Sequence, residues 1–137
     1  MKLNDADPDF VARLASALGP RAVVPPEPRY LEEPRGRYHG RAAAILRPGS
    51  VAEVQTAVRL CGEARVGIVP YAGGTGLVGG QVMAEGALPV VLSVERLNRI
   101  RDLDTVDSVL TAEAGVILSE ARAAADTVGR VFPLSLA

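Results

Sequence analysis

The sequence lacks the raw material for several whole classes of protein. Its 137 residues hold one cysteine, Cys61, so no internal disulfide framework can form, and the cytoplasm is the expected compartment. Tryptophan is absent, and the only aromatics are two Phe and three Tyr. The core must therefore be built from Val, Leu, Ile and Ala. No apolar run reaches the roughly 18 residues that a membrane-spanning helix needs. The opening segment, Met1 to Asp7, lacks the charged start and apolar stretch of a signal peptide. Neither sign of charge is in excess: 15 basic residues against 16 acidic leave a net charge of −1. That balance argues against a nucleic-acid partner, which calls for a basic footprint. The single histidine, His39, has no second histidine with which to build a metal site and no orienting partner for base catalysis, so neither a metal nor a catalytic residue is expected here.

What is present is a globular composition. Hydrophobic residues make up 48% and charged residues 23%, which separates the chain from disordered sequences. A first helix is expected from Asp7-Pro8, with Asp as N-cap and Pro in the first turn, where its missing N–H costs nothing. Phe10, Leu14 and Ala17/Leu18 share one face, and Gly19-Pro20 stops it. Residues 21–41 contain Pro25, Pro26, Pro28 and Pro34 and no helical period, which reads as an extended arm. Arg29, Arg35, Arg37, Arg41 and Arg47 lie on or near that arm, interleaved with Glu27, Glu32 and Glu33. The expected state of these arginines is solvated or paired within the chain.

Regular structure resumes at residue 42. Ala43 to Leu46 reads as a strand, and Ser50-Val51-Ala52-Glu53 as a capping box opening a helix with Val51, Val54, Val58 and Cys61 on its buried stripe. Cys61 is accordingly a small core residue. Further strands are expected at 66–70, 90–94, 108–113 and 130–132, with a helix over Leu118 to Val128. The order β-α-β-β-β-α-β predicts an α+β fold: a small mixed sheet with two helices on one face, preceded by an N-terminal helix and a Pro-rich arm. The expected division is 1–41 for helix and arm and 42–137 for the domain proper.

One segment carries chemistry. Pro70-Tyr71-Ala72-Gly73-Gly74-Thr75-Gly76-Leu77-Val78-Gly79-Gly80-Gln81 places five glycines within residues 73–80, directly after a strand. Without Cβ atoms, such a loop can turn successive N–H groups toward one anion. A Walker A loop ends in Gly-Lys-Ser/Thr, and Lys2 is the only lysine. Gly74-Thr75-Gly76-Leu77-Val78-Gly79 does spell G-x-G-x-x-G, with Glu95 about 20 residues on, where a ribose-binding acid stands in dinucleotide folds. That fingerprint must open a helix. Only ten residues separate Gly79 from Val90, and Gly80, Gly86 and Pro89 are among them. No crossover helix fits there.

The run from Pro70 to Gly80 resembles the pyrophosphate loop of the FAD-binding domain of vanillyl-alcohol oxidase and p-cresol methylhydroxylase relatives. It is most similar to the branch of D-2-hydroxyacid dehydrogenases: the glycolate oxidase FAD subunit, D-lactate dehydrogenase and D-2-hydroxyglutarate dehydrogenase. Arg35 to Arg41, Leu46 to Val54, Thr111 to Val116 and Phe132 to Ala137 resemble further segments of that domain in the same order. The resemblance implies backbone N–H groups of Ala72, Gly73, Gly74, Thr75 and Gly76, with the Thr75 hydroxyl, at the FAD pyrophosphate. It places Leu77, Val78 and Gly80 near the flavin, and Pro133 and Leu134 beside the cofactor. Ala72 stands where many relatives have Gly, which is tolerable only at negative φ. Because no histidine follows His39, FAD would be held non-covalently.

In the intact family a D-2-hydroxyacid loses hydride to the flavin while a base takes its hydroxyl proton. A second FAD subdomain and a substrate-binding cap follow the segments matched here. The resemblance thus implies that this chain is the first part of an FAD-binding domain, supplying the pyrophosphate loop, binding FAD weakly by itself and inactive alone. The small hydroxyacid would be a partner of the intact enzyme only. An exposed sheet edge would offer a route to a homodimer. The alternative is a stand-alone nucleotide- or anion-binding module, or a half-site completed by a separate chain.

Overall fold

Residues 2–134 are described by a computed structural model of the chain. The first helix forms where its capping residues place it. In α1 (Pro8–Leu18) the Asp7 carboxylate accepts the Phe10 N–H at 2.7 Å, and Gly19 at φ +84° ends the helix. Phe10, Leu14 and Leu18 are its buried face. The stretch expected to be an extended arm is folded instead. It contains β1 (Val23–Val24) and a single turn, α2 (Pro28–Leu31), in which Tyr30 is fully buried. Pro28 suits a first helical turn, and the anchor that fixes it is the Tyr30 ring packed on the sheet.

Next come β2 (Ile45–Leu46) and α3 (Val51–Ala64). The Ser50 hydroxyl accepts the Glu53 N–H at 3.2 Å, as a capping box requires, while the Glu53 carboxylate takes the N–H of Gly49 at 2.7 Å. The buried stripe of α3 is Ala57, Leu60 and Cys61. Val51 and Val58, expected inside, are 50% and 49% exposed, so the helix is turned from the valine face toward its smaller residues. Small side chains let the helix lie close to the sheet and to α1. The helix ends at Arg65 in the left-handed region, φ +52°, two residues before Gly67.

β3 (Ile68–Tyr71) and β4 (Val90–Ser93) complete a four-stranded mixed sheet in the order β1-β2-β4-β3. β1 is antiparallel to β2, and β4 lies parallel between β2 and β3, with Ile45 opposite Val91 and Val69 opposite Val91. All four residues of β4 are buried. A central parallel strand covered on both faces reads as a near-continuous apolar run, as Val90, Val91 and Leu92 do before Ser93. Alternation then divides the core. Leu46, Val90 and Leu92 face the cluster formed with α1 and α3, while Ile45, Val69 and Val91 face Tyr30. The α+β class and the small mixed sheet are as expected. The two helices covering one face are α1 and α3, not the expected pair of α3 and the helix over Leu118 to Val128, because Phe10, Leu14 and Leu18 of the N-terminal helix pack on the sheet.

The chain forms two compact units, Met1–Arg96 and Leu97–Ala137. In the second, β5 (Ile100–Asp104) and β6 (Val109–Ala112) make an antiparallel hairpin with α4 (Leu118–Thr127). β5 falls where no strand is expected: its residues alternate Arg101, Leu103 with Asp102, Asp104, and it is stabilised by pairing rather than by burial. The Asp104 carboxylate shapes the turn by accepting the N–H groups of Val106 and Asp107 at 2.8 and 3.0 Å. Residues 130–132, expected as a strand, have no regular structure. Ala121 and Ala125 are the buried residues of α4, and Val128, expected on the same stripe, is 37% exposed. Among the described residues no helix is long and apolar enough to cross a membrane.

Candidate functional site

The glycine-rich loop leaves the sheet at Tyr71, the last residue of edge strand β3, and returns at Val90 without forming a helix. The dinucleotide fingerprint is thereby excluded on structure as well as on length. Gly74 and Gly79 adopt positive φ, +68° and +76°. A Cβ on Gly74 would overlap the Tyr71 hydroxyl and lie 2.7 Å from its Cζ, so both conformation and space require glycine. Ala72 is not among the residues with positive φ, which removes the objection to a side chain there.

The loop's hydrogen bonding is one-sided. The Gln81 amide donates to the carbonyls of Gly76 and Gly74, at 2.6 and 3.4 Å. Among the described residues, the backbone N–H groups of 72–78 have no acceptor. These seven consecutive donors are open to an acceptor from outside the chain, water included. Thr75 is exposed beside them. Leu77 and Val78 are 45% and 87% exposed, apolar side chains left in solvent at the loop's far end. The structure therefore brings 72–80 together in one open, donor-rich loop. Pro133 and Leu134 belong to the second unit, where they line a shallow depression with Arg122, Val131 and Phe132. Ser135, Leu136 and Ala137, part of the same sequence segment, lie outside the described residues.

Behind the loop sits a charged cluster that sequence patterns do not disclose. Glu95 accepts the Tyr30 hydroxyl at 3.0 and 3.1 Å and pairs with Arg47 and with Arg29, the latter at 3.6 Å. The Arg29 guanidinium also stands 4.3 Å from the Tyr30 ring centre. Tyr30 meets Tyr71 edge to face, with ring centres 5.1 Å apart, and the Tyr71 hydroxyl donates to the Arg29 carbonyl at 2.7 Å. Burial pushes both tyrosine hydroxyls above their ordinary pKa, and the Glu95 charge adds to it. Glu95 thus spends its charge inside the protein. Three of the five arginines on or near the arm are ion-paired within the chain: Arg29 with Glu27 and Glu95, Arg35 with Glu33, Arg47 with Glu95.

The remaining reactive side chains are occupied or shielded. Cys61 is fully buried, and burial pushes its thiol up to about 11, far from a nucleophilic thiolate. His39 is exposed, with Nε2 at 3.0 Å from the Gly36 carbonyl and Nδ1 at 3.8 Å from the Glu32 carboxylate. Neither touches the loop's free donors.

Residues 42–137 match the sequence profile of a family described as FAD binding domain. A D-2-hydroxyglutarate dehydrogenase of Xanthomonas citri pv. viticola is 46% identical over 101 residues, covering 74% of this chain and 21% of that protein. A probable mitochondrial D-2-hydroxyglutarate dehydrogenase of Oryza sativa subsp. indica is 34% identical over 131 residues, 93% of this chain and 23% of its own. Among solved structures, an alkyldihydroxyacetonephosphate synthase superposes with a TM-score of 0.77 at 20% identity, over 94% of this chain and 26% of that one, a likeness of fold. The chain spans about a quarter or less of the length of each of these proteins. A profile match over more than two-thirds of the chain, taking in the glycine-rich loop, establishes that the chain belongs to the FAD binding domain family.

Proposed function

We propose that this chain contributes the pyrophosphate cradle of a flavoenzyme that oxidises a D-2-hydroxyacid of the lactate, glycolate or 2-hydroxyglutarate type. The observation that carries the reading is the run of unpaired N–H groups over 72–78, opened by Gly74 at positive φ. In it, the amides of Ala72, Gly73, Gly74, Thr75 and Gly76 and the Thr75 hydroxyl bind the two phosphates. Backbone donors suit a diphosphate because they are fixed before binding and carry no counter-charge of their own. Leu77, Val78 and Gly80 border the flavin end, where exposed apolar side chains have surface to cover. Bound FAD would supply the two-electron redox chemistry, and the protein position and electrostatics. The hydroxyacid substrate class rests on the names of the two dehydrogenases at 46% and 34% identity.

Fluorescence titration tests the cradle. FAD and ADP should compete for one site on the purified chain, while riboflavin, which has no phosphate, should bind far more weakly. If riboflavin binds as well as FAD, the loop does not recognise pyrophosphate. If inorganic pyrophosphate binds as well as FAD, the module recognises anions and nothing of the flavin. FAD bound by this chain alone is expected to be lost on gel filtration, and the chain is not expected to reduce a dye acceptor with D-lactate.

A further inference from the structure

The glycine loop is braced along its length by residues 29–41, which precede the matched domain. Tyr71, at the loop's start, donates to the Arg29 carbonyl. The Arg35 guanidinium donates to the Leu77 carbonyl. The Tyr38 ring lies flat against Gly79, so close that a Cβ there would stand 3.0 Å from its Cγ. Gly40 meets Val82 and Met83 at a distance that admits no side chain, and the Arg41 N–H donates to the Met83 carbonyl at 3.1 Å. The Arg41 guanidinium reaches the Gly86 carbonyl.

This strap has its own internal support. Glu33 is 2% exposed, although it is a carboxylate on a polar turn. It accepts the N–H of Arg35 at 3.0 Å and of Arg37 at 2.7 Å, closing the turn on itself. Gly36 at φ +66° makes the reversal, and Glu32 and His39 bridge across it. A buried carboxylate is costly unless its lone pairs are filled. Here two backbone donors, the N–H groups of Arg35 and Arg37, fill them, the Arg35 guanidinium stands 3.7 Å away as counter-charge, and the same Arg35 extends to the loop.

We propose that the turn from Glu33 to Arg41 is a positioning element for the glycine loop, with Arg35 and Tyr38 as its points of contact and Glu33 as its internal brace. It sets the affinity for the cofactor by holding the loop in its donor-presenting conformation, without touching the cofactor itself. The cofactor consequence rests on the reading of 72–80 as the pyrophosphate cradle. The loop makes few internal hydrogen bonds, so a conformation held from outside removes an ordering cost that a ligand would otherwise meet.

The test uses the full chain in two measurements. Backbone ¹⁵N relaxation without ligand reads the order of amides 73–79. Tyr38→Ala and Arg35→Ala should each lower their order parameters from about 0.85 toward 0.6 or less, while Tyr38→Phe, which keeps the ring, should not. FAD titration of the same proteins should show about a tenfold weaker Kd for Tyr38→Ala and an unchanged one for Tyr38→Phe. Glu33→Gln should behave like Arg35→Ala, because an amide NH₂ cannot accept the second backbone bond. Unchanged order parameters in Tyr38→Ala and Arg35→Ala overturn the strap. Lowered order with unchanged FAD affinity overturns its role in cofactor binding. A wild-type chain with an ordered loop and no affinity for FAD overturns the cradle reading and leaves the strap standing.

Discussion

The Tyr71 hydroxyl fills the space in which a Cβ on Gly74 would stand. The same hydroxyl donates to the Arg29 carbonyl, so the residue that forbids a side chain in the loop is fixed by the strap beneath it. Gly74→Ala must therefore meet two penalties, a left-handed backbone and a displaced tyrosine. The first alone costs about 1–2 kcal/mol. Urea denaturation should show at least that loss. Gly80→Ala is the control: its φ is not positive and its Cβ would meet nothing within 4 Å. It should change stability by less than about 0.5 kcal/mol, yet weaken FAD binding if the flavin end of the cofactor lies there. Equal stability losses at the two glycines would show that the Tyr71 contact has no energetic weight.

Tyr30 and Glu95 are 65 residues apart in sequence, and their hydrogen bond joins the arm to the end of the sheet. Tyr30→Phe keeps the ring against Ile45, Val69 and Val91 and removes only the hydroxyl. A bond to a charged group is worth about 1.5–3 kcal/mol. Losing it should destabilise the chain toward the lower end of that range, because Arg47 and Arg29 still pair with Glu95. Glu95→Gln combined with Tyr30→Phe should cost less than the two changes added, as expected for residues in one network. Strict additivity in denaturation would separate the two residues energetically.

What sequence discloses and what it hides divide along physical lines. α1 was legible because Asp7, Pro8 and Gly19 punctuate it and its buried residues recur at i, i+4. β4 was legible because a strand covered on both faces carries consecutive apolar residues, here Val90, Val91 and Leu92. The loop was legible because so many glycines have few other uses. β5 was hidden because its hairpin is held by backbone pairing, with Arg101, Asp102 and Asp104 giving no apolar period. The orientation of α3 was hidden because alanine and valine occur on both sides, and only contact with α1 and the sheet selects Ala57 over Val58. Tyr38 and Arg35 were hidden for a different reason. Their contacts lie about 40 residues away in sequence and use a ring face and a carbonyl, neither of which leaves a pattern.

Leu14 tests whether α1 is integral to the first unit although it precedes the matched domain. Its side chain is wholly buried in the cluster that holds Leu46, Leu60, Cys61, Val90 and Leu92. Leu14→Ala should cost about 2–5 kcal/mol, the transfer loss plus whatever cavity remains. Denaturation of the first unit at unchanged urea concentration would mean that α1 is an appendage.

Glu113 gives the second unit an acid-sensitive fastening. Its carboxylate is nearly inaccessible and accepts from Arg99 through the guanidinium at 3.0 Å and the backbone N–H at 3.0 Å, and from Arg101 at 3.0 Å. These donors, Arg99 first, hold its pKa at about 2, below the ordinary value of 4.5, against the opposing effect of burial. A folded-state pKa below the unfolded one means that the unfolded chain binds the proton more readily. The stabilisation is therefore complete above about pH 4.5 and is lost as pH falls toward about 2. Glu33, lowered by the Arg35 N–H, contributes with the same sign. Melting temperature should fall steeply across that window in the wild type. Glu113→Gln should lower it at neutral pH and flatten the fall, leaving the part due to Glu33 and other carboxylates. An identical acid slope in Glu113→Gln would show that the Arg99–Glu113–Arg101 cluster is not what couples stability to pH.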